Sequence, residues 1–362
     1  MRVLAIDPGT ISTAVIVVSD DILESYREIP SHILSQEPEE LFRYIEIHKP
    51  DLVVAPSGYG LPPTDLRRLS VEERLSALMT PENDPGIAEL RYISYFLRRL
   101  DRLVIPVIGI PGVINLASVP ISRKINRFDL GTADKVAIAF LASVIHSNGD
   151  PEVLSKSSFI VLELGAFTSG IAIKDGKIVD GVGGTLFPIG ILSSGGWDGE
   201  VAVLLGRRIY KRDLFRGGLR DVCGETDIEV IRNKCPEGYE RYLDDLAKTI
   251  AMLSMSIIKG RGSKVLSDIK IYISGRGAVK TLIDDLSIEY GLEIEILRSY
   301  YGGEVKRAAE GAALYGLAWA GYKYQRLLNI LGILDLSETS FQPYSRSYTS
   351  SLATGIKRRD DN

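Results

Sequence analysis

The chain has 362 residues, 45% hydrophobic and 25% charged, with a formal net charge of −4. Single cores stop growing near about 250–300 residues, so this length implies two domains. The composition excludes a disordered, collagenous or disulfide-stapled protein. The slightly acidic balance argues against a nucleic-acid binder, which needs a basic excess. No run of 18 apolar residues is long enough to span a membrane. The early acid in Met1-Arg2-Val3-Leu4-Ala5-Ile6-Asp7 does not suit a signal peptide, and a cytoplasmic location is expected. Cys223 and Cys235 lack CxxC spacing and a nearby histidine, which argues against structural zinc. Two ordinary reduced thiols are favoured over a redox pair.

The first half opens with short apolar runs at Val3–Asp7 and Thr13–Val18, then an alternating run at Ile22–Ile29. Pro8-Gly9-Thr10 and Ser19-Asp20-Asp21 separate them, so three antiparallel strands are expected. Glu37–His48 has helical spacing, Leu52–Ala55 reads as a buried strand and Ile87–Leu103 as a helix. Val104–Ile110 reads as a strand and Thr132–His146 as a helix. The connection over residues 56–86 is long enough for a lid or binding loop.

The second half repeats the order. Phe159–Leu164, Ser169–Ile173 and Ile178–Gly181 read as strands, the last two joined by Lys174-Asp175-Gly176-Lys177. Tyr239–Lys259 reads as a helix, Ile269–Ser274 as a strand and Ala278–Tyr290 as a helix. Leu292–Leu297 then reads as a strand and Val305–Ala320 as a helix. Each half is therefore β-β-β-α-β-α-β-α, spanning 1–150 and 151–335, followed by a polar tail over 336–362.

Two acid-tipped hairpins occupy matching places: Asp7-Pro8-Gly9-Thr10 and Glu163-Leu164-Gly165-Ala166-Phe167-Thr168. Glycine lets backbone N–H groups approach phosphate, and hydroxyls add donors. A carboxylate at a strand end holds Mg²⁺ directly or through its waters. Two such hairpins can clamp a polyphosphate. A third turn, Ser274-Gly275-Arg276-Gly277, joins a strand to a helix and suits ribose or phosphate. Neither a complete GxGxxG nor a P-loop is present.

Asp7–Thr10 resembles the first phosphate motif of the acetate kinase/sugar kinase/Hsp70/actin superfamily, and Glu163–Thr168 its second. Tyr272–Gly277 resembles its adenosine motif, and Lys306–Trp319 its small-residue connecting helix. Glu163–Asp180 looks most like acetate and butyrate kinases. With Asp129-Leu130-Gly131-Thr132-Ala133-Asp134-Lys135, the pattern resembles an archaeal group of predicted butyrate kinases carrying a domain of unknown function. The resemblance implies an α/β fold of two ribonuclease H-like, actin-like ATPase domains with an interdomain nucleotide cleft. It implies ATP and Mg²⁺, a small-molecule acceptor such as a short-chain carboxylate, and a homodimer. Nucleic acid and membrane are not expected partners.

On this reading Asp7 and Glu163 organise the metal. Gly9, Thr10, Gly165, Ala166 and Thr168 hold phosphates, and Ser274, Gly275, Arg276 and Gly277 the nucleoside side. Arg123, Arg127 and Asp129 are expected to face the cleft toward an anionic substrate. Asp134 is the candidate base for a hydroxyl acceptor; a carboxylate acceptor needs none, and Asp134 would then orient a cation. Alternatively Thr132 caps its helix and Asp134 favours the positive end. Acetate kinase motifs carry consecutive glycines where Ala166 and Phe167 stand. The loop Gly195-Gly196-Trp197-Asp198-Gly199-Glu200 is a candidate pocket wall or a packed loop. Arg261 and Lys264 read as solvated charge or nucleotide contacts. The alternative function is a nucleotide-gated binding protein of the Hsp70 or actin type. The tRNA-modifying carbamoyl transferase branch needs an HxxxH pair, which His32, His48 and His146 cannot form.

Overall fold

The computed structural model describes residues 1–80, 84, 86–260 and 269–337. Arg261, Lys264 and the tail beyond Ser337 lie outside them. In the first sheet, β1 (Arg2–Asp7), β2 (Ser12–Ser19) and β3 (Ile22–Pro30) form the antiparallel meander. β4 (Leu52–Val54) and β5 (Val107–Ile108) add in parallel, giving the order β3-β2-β1-β4-β5. The second sheet is built from β6 (Phe159–Leu164), β7 (Thr168–Lys174), β8 (Lys177–Val182), β9 (Lys270–Ser274) and β10 (Ile294–Ile296). Its order, β10-β9-β6-β7-β8, is the same topology. The repeated α/β architecture read from the sequence is therefore present.

Boundaries moved where pairing or burial fails. The strand expected over Val104–Ile110 shrinks to two residues. Its partner β4 has only three, and Val104 is 92% exposed. The helix expected over Ile87–Leu103 runs Ala88–Arg98 and tightens to a 3₁₀ turn at Leu100–Arg102. The long connection after β4 holds a 3₁₀ turn, Leu66–Arg68, and a helix, Val71–Ser76, closed by a Ser70/Glu73 capping box. Buried Arg74 knits it together by donating to the carbonyls of Leu66, Arg67 and Leu97 and to Asp101.

The strands alternate, so each sheet has two different faces. Leu4, Ile6, Val15 and Val17 pack outward with Phe42, Ile45, Tyr92 and Phe96. Ile160, Leu162, Ile271 and Ile273 pack outward with the helix Pro236–Ile258. The inner faces, Val3, Ala5, Ala14 and Ile16 against Phe159, Val161, Ile171 and Tyr272, share one central core. Two helices fill it. Ala133–Ser147 packs on β6 and β7, and Arg307–Trp319 on β1, β2 and β4. They touch along small residues: a Cβ on Gly311 would lie 2.0 Å from the Ala137 carbonyl oxygen.

Cys223 and Cys235 form a disulfide, correcting the expectation of reduced thiols. The helix Leu219–Cys223 ends at Gly224, and Ile228–Lys234 folds back to place Cys235 beside it at the start of Pro236–Ile258. Leu336 pairs with Leu116, and the Ser337 hydroxyl accepts from buried Lys124, so the first two residues of the expected tail are held. Among the described residues no helix is long and apolar enough to cross a membrane.

Gly311→Ala should force the central helices apart and cost about 1–3 kcal/mol, read as a fall in Tm. Reducing the disulfide should remove up to about 3 kcal/mol, with thiol titration reporting two groups only after reduction.

Candidate functional site

The inner faces of β1 and β6 each end in an acid. Val3, Ala5 and Asp7 share one face, as do Phe159, Val161 and Glu163. Both acids therefore emerge into the central layer, at the floor of a cleft of about 870 Å³ between the halves. Lys306 and Asp134, at the starts of the two central helices, reach the same space. Those N-termini direct their positive dipole ends toward it.

One cation ties the floor together. Lys135 Nζ pairs with Asp134 Oδ2 and with Glu163 Oε2, joining the first half to the second. Burial alone would lower the Lys135 ammonium, but the two carboxylates outweigh it and raise it. Burial alone would raise Asp134, but Lys135 and the Thr132 hydroxyl hold it below its ordinary value. Thr132 thus does not cap its helix with its side chain; its hydroxyl donates to Asp134.

Among the described residues Asp7 has no such partner. Burial pushes its carboxyl up to about 8; Lys306 opposes this, and the Asp134 and Glu163 charges add to it. Lys306 Nζ instead donates to the Ser12 carbonyl at 2.6 Å and hydroxyl at 3.0 Å, and lies 3.4 Å from Glu28. A second strained acid is Glu89, on the helix that follows the long loop. Burial and the Asp134 charge push it up to about 7, against Lys135, Lys306 and the Thr10 hydroxyl.

The cleft is lined by Asp7, Gly9, Thr10, Asp129, Asp134, Glu163, Gly165, Ala166, Ser274, Gly275 and Arg276. Four other sequence candidates do not line it. Thr168 lies one residue out of phase on β7, faces the outer core and meets the Tyr242 hydroxyl at 3.5 Å. Its neighbour Ser169, opposite Glu163 in register, takes the inner face. Gly277 packs under Leu164, whose carbonyl accepts from its N–H at 2.9 Å. Arg123 turns to β8, donating to the Val179 carbonyl at 2.6 Å beside Asp180. Arg127 is exposed outside the cleft. Asp129 lines the wall as a brace, accepting from the Thr185 N–H and hydroxyl at 3.1 and 2.7 Å. Trp197 is outside the lining, and Asp198 caps the helix Gly199–Leu205.

Gly275 shows why the turn after β9 needs glycine. Its φ is +91°, and a Cβ would meet the Leu164 carbonyl oxygen at 2.4 Å. Phe167 and Phe215 meet edge to face, centroids 4.7 Å apart, so the turn between β6 and β7 and the segment after β8 share one wall. The Ser169 and Ser274 hydroxyls, flanking Glu163 across the sheet, are buried without a hydrogen-bond partner among the described residues. Sequence reasoning missed Lys135 as the central cation, together with Glu89, Lys306, Ser169 and Lys211. For Lys306 a signal existed, because it immediately precedes the small-residue helix.

Residues 5–344 match the family described as "Protein of unknown function (DUF1464)". The chain belongs to that family. No curated protein matches it by sequence. Its fold is shared with acetate kinase from Entamoeba histolytica at 14% identity and TM-score 0.56, covering 80% of this chain and 86% of that one. Acetate kinase from Porphyromonas gingivalis aligns at 12% identity and TM-score 0.56, covering 88% and 99%. A propionate kinase from Francisella tularensis aligns at 12% and 0.53, covering 86% and 98%. The likeness shows that this chain shares the fold of those kinases.

Unfolded carboxyls titrate near about 4, whereas Asp7 holds its proton up to about 8, so its contribution to stability falls as pH rises between those values. Asp7→Asn should therefore raise Tm by at least about 2 °C near pH 9, with a smaller gain near pH 5. An equal gain at both pH values would show that Asp7 does not titrate in this window.

Proposed function

We propose that this chain is an ATP-dependent phosphotransferase acting on a small molecule, and that the acceptor is a short-chain carboxylate such as butyrate. The observation that carries the reading is the convergence of Asp7 and Glu163, from equivalent strands of two sheets, on one cleft floor where Lys135 pairs with Glu163 below two helix N-termini. A polyphosphate needs cations and N–H donors on its oxygens. Here Lys135, Lys306 and the turns at Gly9-Thr10 and Gly165-Ala166 surround one space. Ser274, Gly275 and Arg276 then take the nucleoside side. The acetate and propionate kinases that share the fold suggest the carboxylate acceptor.

Among the described residues no three His, Cys, Asp or Glu side chains form a ready metal cage. Mg²⁺ does not need one, since it keeps waters and takes one or two carboxylates plus substrate phosphates. Asp7, a buried carboxyl without a cation of its own, and Glu163 fit that role. Bound there, the ion would neutralise phosphate charge. Asp134 is occupied by Lys135 and Thr132, which suits an orienting carboxylate better than a base. A carboxylate acceptor brings no proton to remove: its oxygen attacks the γ-phosphorus, the bond to the bridging oxygen breaks, and ADP leaves. A hydroxyl acceptor would need a base, and Glu89, poised near neutrality, is the group that favours this second reading.

Calorimetry should show ATP binding that depends on Mg²⁺ and is lost in Asp7→Asn. Hydroxylamine trapping should detect acyl phosphate from ATP and butyrate, falling at least about 100-fold in Lys135→Met. Glu89→Gln should leave transfer to a carboxylate within about threefold; a loss of about 100-fold would favour a hydroxyl acceptor. Nucleotide binding with slow hydrolysis and no transfer would favour a nucleotide-gated binding protein instead.

A further inference from the structure

Among the described residues five cations line the cleft, and four have a carboxylate within ion-pairing distance. Lys135 has Asp134 and Glu163, Arg276 and Lys306 share Glu28, and Arg307 has Glu310. Lys211 has none. Its Nζ donates to the Tyr59 hydroxyl at 3.2 Å and sits 4.5 Å from the centre of that ring. Burial pushes the ammonium down, while Asp129 and Asp84 act on it only from a distance. A desolvated cation with a neutral partner and an open face is unsatisfied until an anion reaches it.

Its place is set by topology. Asp7 and Glu163 end the central strands β1 and β6. Arg276 and Glu28 lie toward β9 and β3, on one side of them. Lys211, Tyr59 and the Asp129–Thr185 brace lie toward β4 and β8, on the other. The nucleoside turn and Lys211 therefore occupy opposite sides of the two acids. The same cleft wall carries Leu214 and Phe215, which follow Lys211 in the chain, and Leu78, Leu90 and Ile93 from the first half, beside the polar Tyr59, Glu89 and Asp129. The Lys211 N–H donates to Asp84 at 2.8 Å, so the backbone that carries it is docked onto the long loop independently of the side chain.

We propose that Lys211 is the specificity residue of the acceptor subsite, holding the anionic end of a small acid whose hydrocarbon part lies against Leu90, Ile93 and Phe215. This rests on the phosphotransferase reading, and it adds which residue selects charge. One acceptor oxygen accepts from Lys211 and leaves the other for the phosphorus. An ammonium–carboxylate bond of this kind discriminates against a neutral isostere by about tenfold or more.

The test compares butyrate with butyramide, which has the same chain without the charge, by saturation-transfer NMR on the full chain with Mg²⁺ and a non-hydrolysable ATP analogue. Butyrate should bind and butyramide should not. Lys211→Met, whose backbone contact to Asp84 persists, should lose butyrate while binding Mg²⁺-ATP as the parent does. Lys211→Arg should recover part of it. In turnover, Lys211→Met should raise the butyrate KM by about tenfold with kcat within about threefold. Equal binding of acid and amide, no butyrate binding to the parent chain, or a loss confined to kcat would overturn the assignment; the last would place Lys211 on the transferring phosphoryl group. Failure of the parent chain to bind Mg²⁺-ATP at all would instead remove the phosphotransferase reading.

Discussion

The contact between Gly311 and the Ala137 carbonyl governs the rest of the molecule. Each sheet supplies one acid, and neither acid forms a site alone. They meet because the two central helices lie close enough for both sheets to share one core. Ala308, Ala312 and Ala313 on one helix, and Ala133, Ala137 and Ala142 on the other, keep that layer thin. Larger side chains would thicken it and separate Asp7 from Glu163, since packed interiors do not compress. The small-residue composition of Arg307–Trp319 is thus a constraint on the site as much as on the core.

The cleft keeps part of its charge unneutralised. Lys135 satisfies Asp134 and Glu163 together, and Lys306 is spent on Ser12 and Glu28. Asp7 is left as a buried acid without a paired cation, its carboxyl pushed up by burial, while among the described residues the serines flanking Glu163 lack partners. Buried polar groups are normally satisfied. Unsatisfied ones gathered at strand ends facing an open cleft are the groups that the proposed binding of phosphate and cation would use.

Much of this was legible from strand-turn chemistry. The acid-tipped hairpins, the repeated element order and the glycine turn after β9 all rest on local rules of two-residue alternation and turn preference. Those rules place Asp7, Glu163 and Gly275 on the cleft because each sits at a strand end. They failed one residue away: Thr168 and Ser169 are both hydroxyl residues after the turn, and only the register of β7 against β6 decides which faces the cleft. Arg123 and Arg127 failed for another reason. The segment before Asp129 turns toward β8, where the Val179 carbonyl and Asp180 take Arg123.

What the sequence by itself determined was the α/β class, the duplication and the acids at the ends of β1 and β6, because these depend on neighbours along the chain. Only the tertiary structure decided the cation set. Lys135 bridges the halves, Lys306 reaches back 294 residues to Ser12, and Lys211 meets Tyr59 across a separation of 152. The Cys223–Cys235 bond is of the same kind, since it depends on how three short helices fold back between its ends. Charge pairing and desolvation act through space, so no local pattern records which lysine will be neutralised and which left facing an open cleft.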